Sequence, residues 1–280
     1  MKENVLYMYL PVNVYSIDHF SQEELWGTLP SAFNDPFDSL VWIDKEKIEL
    51  FCDQIYDEKL KGSKTDKNKF KRETLKTVEE IFAEARDNFI VSCFTTKNDS
   101  EIMWAHYGKN GTGFVLEYSV DEIEKCVAEY YKGHGFDLLM DVINKVEYVD
   151  EYVDATEFAI DTVDYSINKL IALHNRINYD KTEYDTKKLA QKMLIYKNTC
   201  WSYEEEHRVF VVNFSKGPSQ PTNLHFKIGH CKPQAIYLGT KITTPNEQIL
   251  LRIAKEKEIP AYKMQAKIVG KEYKLVKEIK

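Results

Sequence analysis

The sequence predicts an α+β protein that folds as a single domain over residues 1–280, with a mixed or antiparallel central sheet and surrounding helices. Of its 280 residues, 43% are hydrophobic and 13% are aromatic, which is enough to form a large core. Strand-like and helix-like segments are interspersed along the chain. No internal repeat and no linker rich in Pro, Gly or Ser divides it.

Short aromatic and apolar runs predict the strands. These runs are VLYMY at 5–9, NFIVSCFTT at 88–96, TGFVLEYS at 112–119, VINKVEYVDEYV at 142–153, WSYEEEHRVFVVNF at 201–214 and AIYLG at 235–239. A terminal strand or hairpin is predicted to turn at Gly270.

Apolar residues at helical spacing predict the helices, which lie at 13–25, 46–57, 68–88, 121–132, 154–195 and 243–259. Residues 121–195 are therefore expected to form a mainly helical insertion or lobe. In the last helix Thr244 is the predicted N-cap, with Pro245 at the first position and Glu247 at the capping-box position.

The charge and the hydropathy exclude several classes of protein. A formal net charge of −7 argues against nucleic-acid binding through the protein's overall surface charge, because such binding needs a basic face. The most basic stretch, 59–76, is interpreted as a solvated loop that leads into a helix rather than as a phosphate-binding patch. No apolar run reaches the roughly 18 residues of a membrane span, and the first residues lack the apolar core of a signal peptide. We expect a cytoplasmic protein without membrane contact.

The five cysteines are an odd number, lie far apart and form no CxxC pair. Reduced thiols are therefore expected rather than a disulfide framework. His230 and Cys231 stand together in HFKIGHC, but a second ligand pair at zinc spacing is missing. No metal site is expected.

Three polar-aromatic segments are the candidates for a functional site, and they centre on Ser92, His106 and Glu206. In VSCFTT, Ser92, Thr95 and Thr96 place hydroxyl groups at the end of a strand. Hydroxyl groups both donate and accept hydrogen bonds, which suits the recognition of ribose and amides. Capping or turn formation is the alternative role for such a cluster.

The second segment, MWAHYG, is typical of a helix of one or two turns that Ser100 opens and Gly108 ends. Trp104 and Tyr107 share a helix face, and Trp104 is expected in the core. A flat ring such as nicotinamide or adenine could stack on Tyr107. His106 is a candidate acid–base group, because an imidazole exchanges protons near neutral pH.

In the third segment, WSYEEEHRVFV, strand alternation would place Glu204, Glu206 and Arg208 on one face and Glu205 and His207 on the other. Strands disfavour Glu, so three in succession before an apolar run suggest an active-site carboxylate. The alternative is an exposed edge strand with a surface salt bridge from Glu204 or Glu206 to Arg208.

A fourth segment, FNDPFD, is predicted to form a turn in which Phe33 and Phe37 are buried anchors. Asn34 is a binding candidate, because a loop held by two buried aromatic side chains is rigid.

The segments LYMY, FNDPFD, VSCFTT, MWAHYGKNGTGFVLEY and KNTCWSYEEEHR occur in an order that resembles the bacterial family of domain of unknown function 2971. This resemblance covers residues 5 to about 240. The family name implies no chemistry.

A second resemblance, to ADP-ribosyltransferases of the toxin type, implies both a fold and a chemistry. Those enzymes carry an Arg or His on an early strand, a Ser-Thr-Ser-like strand, and a Glu in a Gln/Glu-x-Glu strand. SCFTT resembles the second element and YEEE the third, with Glu206 in the place of the catalytic Glu. At the first element, LYMYL offers Tyr7 and Tyr9 instead of Arg or His.

This resemblance implies an NAD-dependent ADP-ribosyltransferase-like enzyme, a bacterial defence or toxin-type effector that modifies a macromolecule. Glu206 would oppose the positive charge of an oxocarbenium-like transition state, while Ser92 and Thr95 position the sugar. Glu204 or His106 would activate the acceptor nucleophile, and no metal is needed.

The other residues expected to bind NAD are Tyr7, Tyr9, Asn34, Tyr107 and Arg208. Two further functions stay open at this point. One is a non-catalytic module that binds a nucleotide or a partner in a bacterial defence or toxin–antitoxin system. The other is a hydrolase with Glu206 and His106 as its acid–base pair. An antitoxin or defence-system protein is the expected partner, and the acceptor is a protein or a nucleic acid.

Overall fold

The computed structural model describes residues 4–62, 66–136, 142–178, 192–214 and 224–280. Its strands are β1 Val5–Leu10, β2 Glu24–Thr28, β3 Val41–Trp42, β4 Phe89–Thr95, β5 Phe114–Ser119, β6 Ile143–Lys145, β7 Glu147–Val149, β8 Val153–Asp154, β9 Tyr196–Asn198, β10 Glu206–Val212, β11 His225–His230, β12 Ala235–Leu238, β13 Ala261–Val269 and β14 Glu272–Ile279. Its helices are α1 Val14–Gln22, α2 Lys45–Ile55, α3 Lys67–Arg86, α4 Glu101–His106, α5 Val120–Gly133, α6 Thr156–His174 and α7 Thr244–Glu256. These elements confirm the predicted α+β class.

Internal contacts divide the chain into two compact units. The first comprises Met1–Ala32, Phe89–Val146 and Thr199–Lys280, and the second comprises Phe33–Asn88 and Glu147–Asn198. The expectation of one domain, with a helical lobe over about 121–195, stays a prediction.

The first unit is built on a mixed sheet that joins ten of the described strands. Their order is β11-β2-β4-β1-β5-β12-β13-β14, and β10 joins the sheet through β4 and pairs with β6 on its other side. The pair β12–β13 is parallel, whereas β4 pairs antiparallel with β1, β2 and β10. Thr95 is the register partner of both Tyr7 and Glu206, so β4 lies between β1 and β10 at that point.

One face of this sheet packs against α1, α5 and α7. The helices contribute side chains such as Phe20, Ile123 and Leu250 to a core that also holds Phe94 and Leu116 from the strands. We call this the helical face of the sheet. It is mainly apolar because alternate strand residues such as Ile90, Phe94 and Leu116 point into this core.

The residues at its two ends define the limits of α1. Asn13 is its N-cap: its side chain accepts a hydrogen bond from the Ser16 N–H at 2.8 Å, and the Ser16 hydroxyl accepts one from the Asn13 N–H at 3.1 Å. Glu23 ends it in a left-handed conformation with φ 56°. The predicted helix over 13–25 was therefore too long, because Glu24–Thr28 pairs with β11 as β2.

The opposite face of the sheet packs against α4. Trp104 is buried, as predicted, with its ring 5.2 Å from that of Tyr9, and its indole N–H donates to the Asn98 carbonyl at 2.8 Å. Met103 and Tyr237 complete the packing around them. We call this the aromatic face.

The second unit has a core of its own between α2, α3 and α6. Ile48, Phe82 and Val163 represent the three helices in this core. Two short parallel pairs, β3–β8 and β7–β9, accompany the helices.

Further predicted elements differ from the structure. The run VINKVEYVDEYV is broken into β6, β7 and β8, because β6 pairs with β10 whereas β7 pairs with β9. In the range 154–195, predicted as mostly helical, α6 ends at His174, positions 179–191 lie outside the described residues, and residues 192–195 are helical again. The N-cap of α7 is Thr243, one residue before Thr244, and its side chain makes no capping hydrogen bond.

Within the described part of the chain, none of the helices combines the length and the apolar character needed to cross a membrane.

Gly239 lies where two backbone segments meet. A Cβ at this position would stand 2.2 Å from the carbonyl oxygen of Gly111 and 2.9 Å from that of Gly113. Because both neighbours are backbone atoms, we expect Gly239→Ala to lower the free energy of unfolding by about 1–3 kcal/mol. Urea denaturation measures this change.

Gly133→Ala is the matched control for that variant. Gly133 lies in α5, and a Cβ there would meet nothing within 4 Å. The control should therefore raise the free energy of unfolding by up to about 1 kcal/mol. Equal losses in the two variants would contradict the close approach at Gly239.

Candidate functional site

A row of polar side chains crosses neighbouring strands on the aromatic face. The register partners in this row are, strand by strand, Glu206, Thr95, Tyr7, Glu117 and Ala235. Register partners share one face of a sheet, and adjacent strands are about 4.8 Å apart. Glu206, Thr95, Tyr7 and Glu117, which we call the polar row, therefore point to the same side within roughly 14 Å.

Ser92 does not belong to the polar row. It lies on the helical face together with Ile90 and Phe94, and its hydroxyl donates to the Trp26 carbonyl at 2.7 Å. The prediction that Ser92 and Glu206 share a site is therefore wrong, because the two-residue period of β4 places Ser92 and Thr95 on opposite faces. Thr95 is the hydroxyl residue of VSCFTT that faces Glu206.

Glu206 forms a buried ion pair with Arg208. The Arg208 Nε donates to Glu206 Oε1 at 2.7 Å and the Nη2 donates to Oε2 at 3.1 Å. Arg208 has 0% of its surface exposed and Glu206 has 4%. The salt bridge considered from the sequence does form, but β10 lies between β4 and β6 and is not an exposed edge there.

Glu204 is not on the same strand as Glu206. It ends a 3-10 helix, Thr199–Glu204, and Glu205 follows in a left-handed conformation with φ 44°. The predicted alternation, with Glu204 and Glu206 on one strand face, is therefore wrong, since the strand begins only at Glu206. The buried Glu204 carboxylate instead accepts a hydrogen bond from the Tyr107 hydroxyl at 2.5 Å.

Glu205 is directed away from both of its neighbours. Its carboxylate forms an ion pair with Lys97 and accepts a hydrogen bond from the Thr96 hydroxyl at 2.9 Å. The hydrogen bond from Lys97, followed by that from Thr96, lowers the pKa of Glu205.

The helix α4 and the 3-10 helix contact each other through two neighbouring pairs. Tyr107 contacts Glu204, and the Nδ1 of the exposed His106 lies 3.0 Å from the Tyr203 hydroxyl. The second and third predicted segments therefore meet, as the sequence hypothesis required. His106, Tyr107 and Tyr203 all keep exposed surface, so a ligand can reach them.

Glu117 is the site residue that sequence reasoning missed. It accepts a hydrogen bond from the Tyr237 hydroxyl at 2.6 Å. Burial, followed by the negative charge of Glu117, raises the pKa of Tyr7 to about 12. Burial and the hydrogen bond to Glu117 also raise the pKa of Tyr237 well above its usual range. Both phenols therefore keep their protons at neutral pH and act as donors.

A signal for Glu117 was present in the sequence. The strand FVLEYS is apolar apart from this Glu and its end, and strands disfavour Glu. The same argument had singled out Glu206.

Two predicted binding residues lie elsewhere. The ring of Tyr9 packs on Trp104, and burial raises the pKa of Tyr9 above its usual range. Asn34 is exposed and belongs to the second unit. The predicted anchor Phe37 is 62% exposed, so that expectation is wrong. The turn is held instead by the buried Asp35, whose carboxylate accepts from the Phe37 N–H at 2.9 Å.

The second unit has a cavity of about 710 Å³. Apolar side chains such as Val41, Phe82 and Met193 line it, together with Arg86. None of the predicted site residues lines this cavity. In the ranges that the structure describes, no three His, Cys, Asp or Glu side chains come together as metal ligands would.

Fold and site together define an α+β protein with a buried polar-aromatic site. Residues 103–209 match the model of a family described as protein of unknown function (DUF2971). This segment contains His106, Tyr107, Glu117 and the Glu204–Arg208 stretch, and it supports the family resemblance over a shorter range than 5 to about 240. Comparisons with curated proteins and with solved structures gave no match. The similarity to ADP-ribosyltransferases rests on the sequence segments alone.

The ion pair generates a prediction about stability. Arg208→Met removes the bidentate partner of a buried carboxylate, so we expect the free energy of unfolding to fall by about 3–5 kcal/mol. Lys97→Met is the control, because the Lys97–Glu205 pair is exposed and should contribute less than about 1 kcal/mol. Chemical denaturation of both variants measures the difference. Similar small losses would show that the buried pair does not hold β10 in place.

Proposed function

We propose that the polar row is the substrate site of an NAD-dependent ADP-ribosyltransferase-like enzyme. The observation that supports this most directly is the register of β1, β4 and β10, which aligns Tyr7, Thr95 and Glu206. Thr95 and Glu206 come from the segments that the sequence likens to the second and third elements of ADP-ribosyltransferases, and Tyr7 lies on the strand where the first element would carry Arg or His. Their alignment on one sheet face is what supports the proposal.

NAD is a substrate in this proposal, because it is consumed. Its ribose hydroxyls need acceptors and donors, which Glu206 and Thr95 supply. Its nicotinamide ring can stack on the partly exposed Tyr107. Tyr7 lies next to Thr95 in the polar row and keeps its proton at neutral pH, because burial and the carboxylate of Glu117 raise its pKa to about 12.

The chemical step breaks the bond between C1′ of the ribose and the nitrogen of the nicotinamide. The bonding electrons leave with nicotinamide, and positive charge develops on the ribose, which the fixed carboxylate of Glu206 opposes. The acceptor forms a new bond to C1′, and its proton passes to Glu204, with His106 as the second candidate for this role. The products are nicotinamide and an ADP-ribosylated acceptor, or free ADP-ribose when the acceptor is water.

The ion pair with Arg208 has two consequences for this mechanism. It fixes the orientation of the Glu206 carboxylate, whose two oxygens accept from Nε and Nη2 of Arg208. It also reduces the negative charge available at Glu206. This second effect favours an alternative function, in which the same face binds a nucleotide or a partner without turning it over.

The proposed biological role is that of a bacterial defence or toxin-type effector. The acceptor would be a protein or a nucleic acid of the cytoplasm, and an antitoxin or defence-system protein would restrain the enzyme. Cys52, Cys126 and Cys231 are buried thiols, which fits a reducing compartment.

Purified protein should release nicotinamide from NAD, and Glu206→Gln should slow this release by about 100-fold or more, since it removes a transition-state charge. Glu205→Gln is the matched control. Glu205 is the adjacent residue, but its carboxylate is directed to Lys97 and Thr96, so its loss should leave the rate unchanged. Chromatography of nicotinamide measures the rate, and thermal melting shows whether both variants fold.

Each outcome of this assay decides between the two functions. Nicotinamide release that is equally fast with folded Glu206→Gln would contradict the catalytic role of Glu206. Binding of NAD by calorimetry without release would support the non-catalytic module. If the protein neither binds NAD nor releases nicotinamide from it, NAD is excluded as the ligand in both functions.

Overproduction without a partner should slow growth of the host. At about one turnover per second a single enzyme molecule consumes thousands of substrates in an hour, whereas a binding module titrates only its own number. Glu206→Gln should relieve the effect and Glu205→Gln should not, when soluble expression is equal. Undiminished toxicity of Glu206→Gln would favour the binding module. Growth curves with matched immunoblots measure the difference.

A further inference from the structure

The sheet of the first unit ends in a long hairpin whose outer strand is β14. The hairpin turns at Gly270, as predicted, and among the described strands none pairs with the other edge of β14. The Lys280 N–H donates to the Ala261 carbonyl at 2.9 Å. Because hydrogen-bonding direction alternates along a strand, the backbone groups of odd-numbered residues from Tyr273 to Ile279 face outward. A free edge of this length is a template for another strand.

This edge also carries exposed apolar side chains. Tyr273 is 81% exposed, Ile279 is 83% exposed and Ile268 is 72% exposed. Tyr273 is the register partner of Ile268, and Ile279 is that of Tyr262, so all four lie on the aromatic face. These residues form two apolar pairs, Tyr262 with Ile279 and Ile268 with Tyr273, near the two ends of the edge. Exposed apolar side chains at a sheet edge are typical of an interaction surface.

The charges along β14 discriminate between the possible registers of a self-pairing edge. When two β14 strands pair antiparallel, residues whose backbone groups face outward must lie opposite each other. This condition allows registers in which Leu275, Val276 or Lys277 of one copy lies opposite the same residue of the other copy. Centring on Leu275 places Glu272 opposite Glu278 twice. Centring on Lys277 places that lysine opposite its own copy. Like charges directly opposite each other destabilise both of these registers.

The register centred on Val276 contains no such conflict. It places Lys274 opposite Glu278 twice and Tyr273 opposite Ile279 twice. The Lys274–Glu278 pairs are of the non-hydrogen-bonded kind, in which Cα atoms are about 4.5 Å apart and side chains are closest. The side chains of Lys274 and Glu278 are 51% and 42% exposed and so are accessible to a partner.

We propose that two copies of this chain associate through β14, in the antiparallel register centred on Val276. The apolar pairs of the two copies then join, with Tyr262 and Ile279 of one copy next to Tyr273 and Ile268 of the other. Tyr262 in turn stacks on Tyr237, with ring centroids 5.0 Å apart. The joined edge therefore continues the aromatic face of each sheet, and it does not depend on the proposed function.

A charge swap tests the register. Light scattering after size exclusion, across a wide range of concentrations, should show a dimer for the unmodified protein. Lys274→Glu and Glu278→Lys should each raise the dissociation constant by at least about tenfold, because they place like charges opposite each other. The double variant Lys274→Glu/Glu278→Lys should restore the dimer. A monomer at all concentrations would overturn the proposal, and so would a dimer that is equally tight in folded single variants.

Crosslinking provides a second test that needs no charge reversal. In a Cys93→Ser/Cys200→Ser background, which removes the exposed thiols, Val276→Cys should form an intermolecular disulfide on oxidation. Its two Cα atoms would be about 4.5 Å apart, within the range of a disulfide. Lys274→Cys is the matched control, since its two copies would be roughly 13 Å apart along the strands. Equal crosslinking at both positions, or at neither, would overturn the register.

Discussion

The position of β4 between β1 and β10 is the constraint on which both faces of the first unit depend. Side chains alternate with a period of two, so a slip of one residue would move every side chain of β4 to the other face. Ile90 and Phe94 would leave the helical core, and Thr95 would enter it. The continuous pairing from Glu206↔Thr95 to Val212↔Phe89 resists such a slip. The composition of the polar row is therefore a consequence of the same pairing that forms the core.

The buried ion pair is costly as a device for stability alone. Taking a carboxylate and a guanidinium out of water carries a desolvation penalty that their attraction offsets only when the geometry is good. The two bonds between Arg208 and Glu206, at 2.7 Å and 3.1 Å, satisfy that condition. Apolar residues of similar volume would often be as stable at such a position. Selection for stability thus gives no reason for a charged pair at the start of β10, whereas a site that needs an oriented carboxylate does.

Much of the fold could be predicted from local patterns, because local patterns reflect local physics. VLYMY and AIYLG form strands, and Ser100 caps α4 through its hydroxyl, which accepts from the Met103 N–H at 3.3 Å. The strand β2 was missed because only Glu23 separates it from α1, so no loop in the sequence marks the change from helix to strand. Its strand state is set by pairing with β11, some 200 residues later in the chain.

Several residues of the candidate site could be predicted from the sequence, but their arrangement could not. Glu206, Tyr107 and Thr95 stood out because polar groups next to apolar strands are uncommon. Which hydroxyl of VSCFTT faces Glu206 depends on the register between β4 and β10, and no local pattern encodes that register. The sequence therefore predicts both Ser92 and Thr95 for the site, and only the structure shows that they lie on opposite faces of β4.

The left-handed Glu205 explains why the two neighbouring carboxylates differ. A non-glycine residue at positive φ is uncommon and redirects the chain at that position. In this conformation the Glu205 carboxylate reaches Lys97 and Thr96. The resulting turn takes Glu204 out of the strand and brings it to a neutral phenol, while Glu206 stays on the strand beside a guanidinium. The turn therefore separates two carboxylates that are two residues apart, one at the end of the 3-10 helix beside Tyr107 and one at the start of β10 beside Arg208. The proposed mechanism uses this separation, with Glu204 as the base and Glu206 as the fixed group at the ribose.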